Sequence, residues 1–190
     1  QGMLNHQEFN IQQLSVDSQQ NKMLLGIKDM DIAQASNVLE TVIYQHPSYQ
    51  KLQTWLVQAK PTGHIQFLTT NIDIAQKKVL SAAAKIQHLS VLATQNTIGL
   101  SNANIWLTHQ PRGGFAGLDI ADGSVDLKPI YREFTPLSAL TMLLKWTDLG
   151  DAWLVDSNQI QLKNNDAHGQ AVLSLWLPKA DISAAQMQLL

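Results

Sequence analysis

"LTMLLKWTDLGDAWLVDSNQIQLKNND", residues 140–166, decides how the second half of the chain is read. Apolar and polar residues alternate on both sides of a short acidic stretch, Thr147 to Ala152. Asp148, Gly150 and Asp151 are ordinary turn formers. The pattern predicts a β-hairpin with strands over 138–147 and 152–163. If the turn is centred on Leu149 and Gly150, Trp146 and Trp153 stand close to opposite one another, a cross-strand pair worth about 0.5–1 kcal/mol. The competing reading makes Asp148, Asp151 and Asp156 a metal or proton site. Their spacing is not that of a calcium loop, and no bidentate Glu follows at the twelfth position. The hairpin is the better reading.

Outward from this hairpin the same chemistry continues. Strands are expected over 64–75, 78–94, 98–109, 114–121, 123–128 and 169–177. Short polar turns join them at Gln76-Lys77, Thr94–Thr97, Ala121–Gly123 and Asn164–His168. Turns this short imply hairpins and an antiparallel meander. Toward the N-terminus, "FNIQQLSVDSQQNKMLLGIKDMDI" reads as two more strands around the turn "SQQNK". The period then changes. In "DIAQASNVLETVIY", Ile32, Ala35, Val38, Leu39, Val42 and Ile43 share one helical face, and Asp31 is placed to cap it. A second helix starts at Pro47 or Ser48, with Tyr49, Leu52, Trp55, Leu56 and Ala59 on one stripe. Pro61 and Gly63 end it. The expected fold is mainly β with some α (α+β): an antiparallel curved sheet of six or more strands in a meander, with one or two helices between residues 31 and 60. "DMDIAQ" (29–34) echoes "NIDIAQ" (71–76), but six residues do not establish a repeat.

The 190 residues suit one domain or two small ones. Hydrophobic residues make up 45% and charged residues 15%, below the usual quarter. With a net charge of −2, nothing points to nucleic acid. There is no cysteine, which excludes disulfides and thiolate chemistry and fits cytosol and periplasm equally. No stretch is long and apolar enough to span a bilayer, and no signal peptide is visible. Gln1 and Gly2 read as the remnant of a cleaved tag. Residues 3–190 read as a single β-rich domain, or a segment of a longer β-groove protein.

Catalytic signatures are lacking. His6, His46, His64, His88, His109 and His168 have no zinc-ligand spacing. "GGFAG" (113–117) lacks the Lys-Ser/Thr of a phosphate loop and reads as a strand start or bulge. No catalytic, cofactor-binding or metal-binding residue is assigned, no cofactor is expected, and the chain is not read as an enzyme.

More telling is a stretch without charge: between Lys85 and Arg112 there is no Asp, Glu, Lys or Arg. Strands of a soluble sheet normally carry charge on their wet face. Neutral polar residues covering the wet side are one explanation. The other is a sheet with one face turned to something apolar, a ligand or a membrane lipid, without closing over it. Candidates for such a lipid groove are Ile86, Leu92, Leu100 and Trp106, with Leu140, Met142 and Leu144 from the later strand. The opposite set, which includes Ile105 and Leu107, is an open alternative, because a bulge near His88 would swap the faces.

The order of these elements resembles the AsmA-like proteins of Gram-negative envelopes, most closely the large YhdP-type members. "LQTWLVQAKPTGHIQFLTTNIDI" (52–74) looks like their recurring helix, Pro-x-Gly and alternating strand, through Leu52, Leu56, Pro61, Gly63, Ile65 and Leu68. "KIQHLSVLATQNTIGLSNANIWL" (85–107) looks like the next element, although Ile98-Gly99-Leu100 replaces the expected Pro-Gly. Gly123, Val125 and Leu127 match the strand that follows. "FTPLSALTMLLKWTDLGDAWLVDSNQIQLKNND" (134–166) fits a further passage through Pro136, Leu137, Trp146, Trp153, Ile160, Leu162, Asn164 and Asp166.

The resemblance implies a periplasmic segment of a protein anchored in the inner membrane by a helix outside this sequence. It implies that phospholipid is handled or conducted along an apolar β-sheet groove between inner and outer membranes. The implied partners are phospholipid and other segments of the same longer chain, with no nucleic acid. The alternative is a non-catalytic structural or protein-binding module of the envelope, whose exposed β-edges pair with a partner.

Overall fold

The computed structural model describes residues 14–19, 21–36, 47–76, 78–94, 97–126, 134–165, 168–180 and 186–189. These residues form one ten-stranded sheet in which every strand pairs with its sequence neighbour. All the pairings are antiparallel. The meander expected from the short turns is therefore present. The strands are β1 (Leu14–Gln19), β2 (Lys22–Asp31), β3 (Thr62–Asp73), β4 (Lys78–Val91) and β5 (Gly99–Gln110). They continue with β6 (Gly113–Asp126), β7 (Phe134–Asp148), β8 (Ala152–Lys163), β9 (His168–Pro178) and β10 (Gln186–Leu189).

Helical backbone follows β2 over residues 32–36 (α1) and recurs at Pro47–Ala59 (α2). The expected helical face beyond Ser36, from Val38 to Ile43, lies outside the described residues. At the end of α2, Lys60 turns left-handed (φ 44°) while its N–H still reaches Leu56 O at 3.0 Å. Pro61 then prevents continuation. Ala59 is fully buried, and its carbonyl accepts from Leu92 N at 2.7 Å, tying the helix to the end of β4.

Two readings change. Residues 114–121 and 123–128 are not separate strands, because β6 runs unbroken through Ala121–Gly123. Asp122 does take a turn-like φ of 50°. The extra residues are absorbed as a bulge against Asn102 of β5, whose own φ is 55°. Asn102 Nδ2 donates to Ala121 O at 2.7 Å and holds the bulge in place. Turn chemistry here bends a strand without ending it.

The second change concerns the tryptophan pair. Asp148 faces Trp153 and Trp146 faces Val155, so the two rings share a face but stand one pair apart. The turn is centred one residue later than expected. Gly150 holds φ 94° and its N–H reaches Asp148 Oδ1 at 2.7 Å, and Leu149 N closes on Ala152 O at 2.9 Å.

Register decides the faces. Directly paired residues lie on the same side of a sheet, and side chains alternate along each strand. One row reads Met30–Ile65–Ile86–Ile105–Leu118–Met142–Ile160–Ala171, across eight strands, and every member is apolar. The row beside it, Ile27–Leu68–Ala84–Leu107–Ala116–Leu144, is apolar as well. On its other side runs Leu89–Ala103–Ile120–Leu140–Leu162–Gly169. The opposite face carries the charge, with Lys28, Lys85, Asp119, Lys145, Asp156 and Lys163 in its rows.

Candidate functional site: an apolar sheet face

The apolar face is closed at one end and open over the rest of its described width. At the closed end α1 folds back onto β2, β3 and β4. Ile27, Met30, Ile32, Ala35 and Ile65 form a buried cluster, with Leu68, Ile86 and Leu89 packed against it. Further along the same row, Ile105, Leu118, Met142 and Ile160 are only half-buried. Their chemistry is that of a core, but among the described residues no second layer covers them. No Asp, Glu, Lys or Arg occupies the three apolar rows. Among the described residues this apolar strip is contiguous and has no covering layer, an arrangement uncommon on soluble monomers.

The groove candidates divide. Ile86, Leu140, Met142 and Leu144 lie on the apolar face, and so do Ile105 and Leu107 from the alternative set. Trp106 pairs with Lys85 and Gly117 and therefore lies on the opposite, charged face. Ile86 pairs with Ile105, so even-numbered residues of β4 share a side with odd-numbered residues of β5. The β4–β5 ladder also slips at His88, which takes φ 50°. A bulge at His88 thus exists, and past it counting along the chain no longer keeps the face.

Leu92 and Leu100 sit past that bulge. They meet at a separate recess of about 340 Å³, beside Lys60, Ser90, Ser101 and Ser124. Polar residues at the bulges line or adjoin this recess. Among them His88 Nδ1 and Asn102 Oδ1 are 2.8 Å apart. Asn102 N donates to Ser90 Oγ at 3.1 Å, and the Ser101 and Ser124 hydroxyls pair at 2.6 Å.

Two glycines of "GGFAG" have a role that a strand start does not explain. Gly114 faces Trp146 on the apolar side, and Gly117 faces Trp106 on the other. A Cβ at either position would collide with the indole seated there. Each tryptophan lies in the space its glycine partner leaves open, which restores the packing a strand glycine forfeits. The Trp146 indole N–H points to His109 Nδ1 at 3.4 Å, with the rings 15° from parallel. The alternation that reveals a strand gives no sign of such a glycine seat.

Two of the acidic residues around the hairpin, Asp148 and Asp156, have side-chain partners. Asp148 Oδ1 accepts from Lys179 Nζ at 2.6 Å and from Gly150 N. The Lys179 hydrogen bond, with the Gly150 N–H, holds the Asp148 carboxyl below the usual carboxylate range. The same ammonium lies 4.6 Å from the centre of the Trp153 ring. Asp156 Oδ1 accepts from Ser174 Oγ at 2.8 Å. His64 lies between Asp31 and Asp29, at 3.2 and 3.8 Å. Among the described residues no three His, Asp or Glu side chains come together to hold a metal. No described helix is long and apolar enough to cross a membrane.

The described residues thus form a single meandering sheet with one apolar side, a mainly β meander by class. Comparison with known proteins supplies the family: the model described as YhdP protein matches residues 3–190, and the chain belongs to that AsmA-like family of envelope proteins. No curated protein and no solved structure matches the chain.

Proposed function

We propose that this chain is a non-catalytic, periplasmic section of an inner-membrane-anchored protein, and that it carries phospholipid acyl chains along its apolar sheet face between the inner and outer membranes. The observation that carries this reading is the row from Met30 to Ala171, apolar in all eight strands and half-buried from Ile86 onward. Acyl chains lying on such a strip gain about 0.8 kcal/mol for each CH₂ taken from water. Head groups stay at the open side, where water solvates them. No residue needs to make or break a bond, and movement along the strip needs only that each position bind about as well as the next. Neighbouring segments of the longer protein are the partners that would prolong the strip, and family membership supports that reading.

The test is to purify the parent chain and Met142→Asp from envelope membranes and quantify co-purified phospholipid by mass spectrometry. A carboxylate at the centre of the strip should leave the fold intact and reduce bound lipid severalfold. Lipid at the parent level in a folded Met142→Asp would refute the reading.

A further inference from the structure

The face opposite the apolar strip holds a recess of about 450 Å³ that lipid handling leaves unexplained. Lys85, Gln87, Asn104, Trp106, Asp119 and Thr141 line it. Trp106 is 42% exposed although it is the largest side chain there. Its inner side rests on Gly117, where a Cβ would collide with the indole. Gly117 therefore holds the indole at the sheet surface and leaves its outer side available to a ligand.

The polar groups around this platform are only partly satisfied. Asn104 Oδ1 accepts from His88 N at 3.3 Å, and its amide nitrogen has no partner among the described residues. Thr141 Oγ1 donates to one oxygen of Asp119 at 3.2 Å, leaving the second carboxylate oxygen to accept. Among the described residues the Lys85 ammonium and the Gln87 amide are not engaged by any other side chain. Donors and acceptors thus share one recess with a flat apolar surface. Lys85 and Asp119 cancel in charge, which disfavours an anionic ligand such as a phosphate head group.

We propose that this recess binds a pyranose ring of a neutral glycan. A pyranose with equatorial substituents has one flat side of C–H groups, which packs on an indole, and a rim of hydroxyl or acetamido groups. Planar amides and a carboxylate match that rim, each offering two hydrogen bonds in a fixed plane. A convergent set of polar groups around an aromatic surface is the usual composition of a small-ligand site.

The probe is the β1–4 trimer of N-acetylglucosamine, read by saturation-transfer NMR on the sugar C–H protons. The parent chain should transfer saturation to the ring protons. Trp106→Ala should weaken binding at least about tenfold, as expected when a stacking platform is lost, while Trp106→Phe retains most of it. Gln87→Ala combined with Asn104→Ala keeps the platform and should also weaken binding, which serves if Trp106→Ala fails to fold. Leu144→Ala, on the other face and outside the recess lining, should bind the sugar as the parent does. Absence of transfer with the parent chain, or equal binding by a folded Trp106→Ala, overturns the proposal. So does a Trp106→Ala chain that keeps the sugar but loses co-purified phospholipid, since the recess would then belong to the lipid path. Loss of lipid on Met142→Asp is read independently, so the two proposals fail separately.

Discussion

The two ends of one apolar row behave differently. Met30 and Ile65 are 5% and 7% exposed beneath α1, whereas Leu118 and Met142, in the same row, are only partly buried. Composition does not distinguish them, since all four are large and apolar. What differs is a covering layer: a helix closes β2 to β4, and among the described residues nothing equivalent lies over β5 to β9. An ordinary domain buries such a row along its whole length. A row buried only at one end is a core for part of its length and a surface for the rest.

The largest expected effect breaks that comparison directly. Ile65→Asp places a carboxylate in the closed cluster without a partner, and should abolish folding. Met142→Asp, in the same row, should fold, as circular dichroism and thermal melting would show. If both unfold, the open stretch is a core after all.

A milder version uses truncation. Ile65→Ala should cost about 2–5 kcal/mol in denaturant unfolding, as for a buried aliphatic side chain. Leu118→Ala should cost less than half as much. Equal losses would mean the two ends are equally closed.

Gly114→Ala sharpens the account of the apolar surface. The added methyl meets both the Thr108 carbonyl and the Trp146 indole. Backbone on one side cannot yield, so unfolding should show a loss of about 1–3 kcal/mol. Gly169→Ala, where nothing lies within 4 Å of the new methyl, serves as the neutral control.

The smallest effect lies at the hairpin. The Asp148 carboxyl is held below its ordinary range by Lys179 and Gly150. A depressed folded-state value contributes stability above the unfolded-state value, and that contribution disappears as pH falls through the folded-state one. Asp148→Asn should therefore be slightly less stable than the parent near neutral pH. The difference should vanish in acid below the normal carboxylate range, in thermal melts taken across pH.

Much of this fold is written in local alternation. The hairpin at 140–166, the helix that opens at Pro47, the strands from Thr62 to Asp73 and from His168 to Pro178, and the meander they form all follow from period and turn chemistry. The apolar face was legible in part. Ile86, Leu140, Met142 and Leu144 fall on the apolar face as a set, but Trp106 does not join them. Trp106 misses that face because Ile86 pairs with Ile105, a register that two strands set together, and bulges past that pair add a second cause for Leu92 and Leu100. Side chains alternate with a period of two, so each bulge shifts every later residue to the other side. His88 and Asn102, both at positive φ, put two such shifts into the β4–β5 ladder. Neither residue type marks a bulge unambiguously. The tryptophan–glycine seats escaped for a related reason, because a glycine opposite an indole is defined by register, which is a property of two strands.

The central claim is that the open stretch of the apolar row meets lipid, and adjacent residues of β7 test it most directly. A photo-crosslinking amino acid at position 142 points to the apolar face, and one at 143 points to the charged face. Irradiation in native membranes followed by lipid mass spectrometry should give phospholipid adducts at 142 and few or none at 143. Equal labelling at both positions, or labelling at 143 alone, would contradict the account.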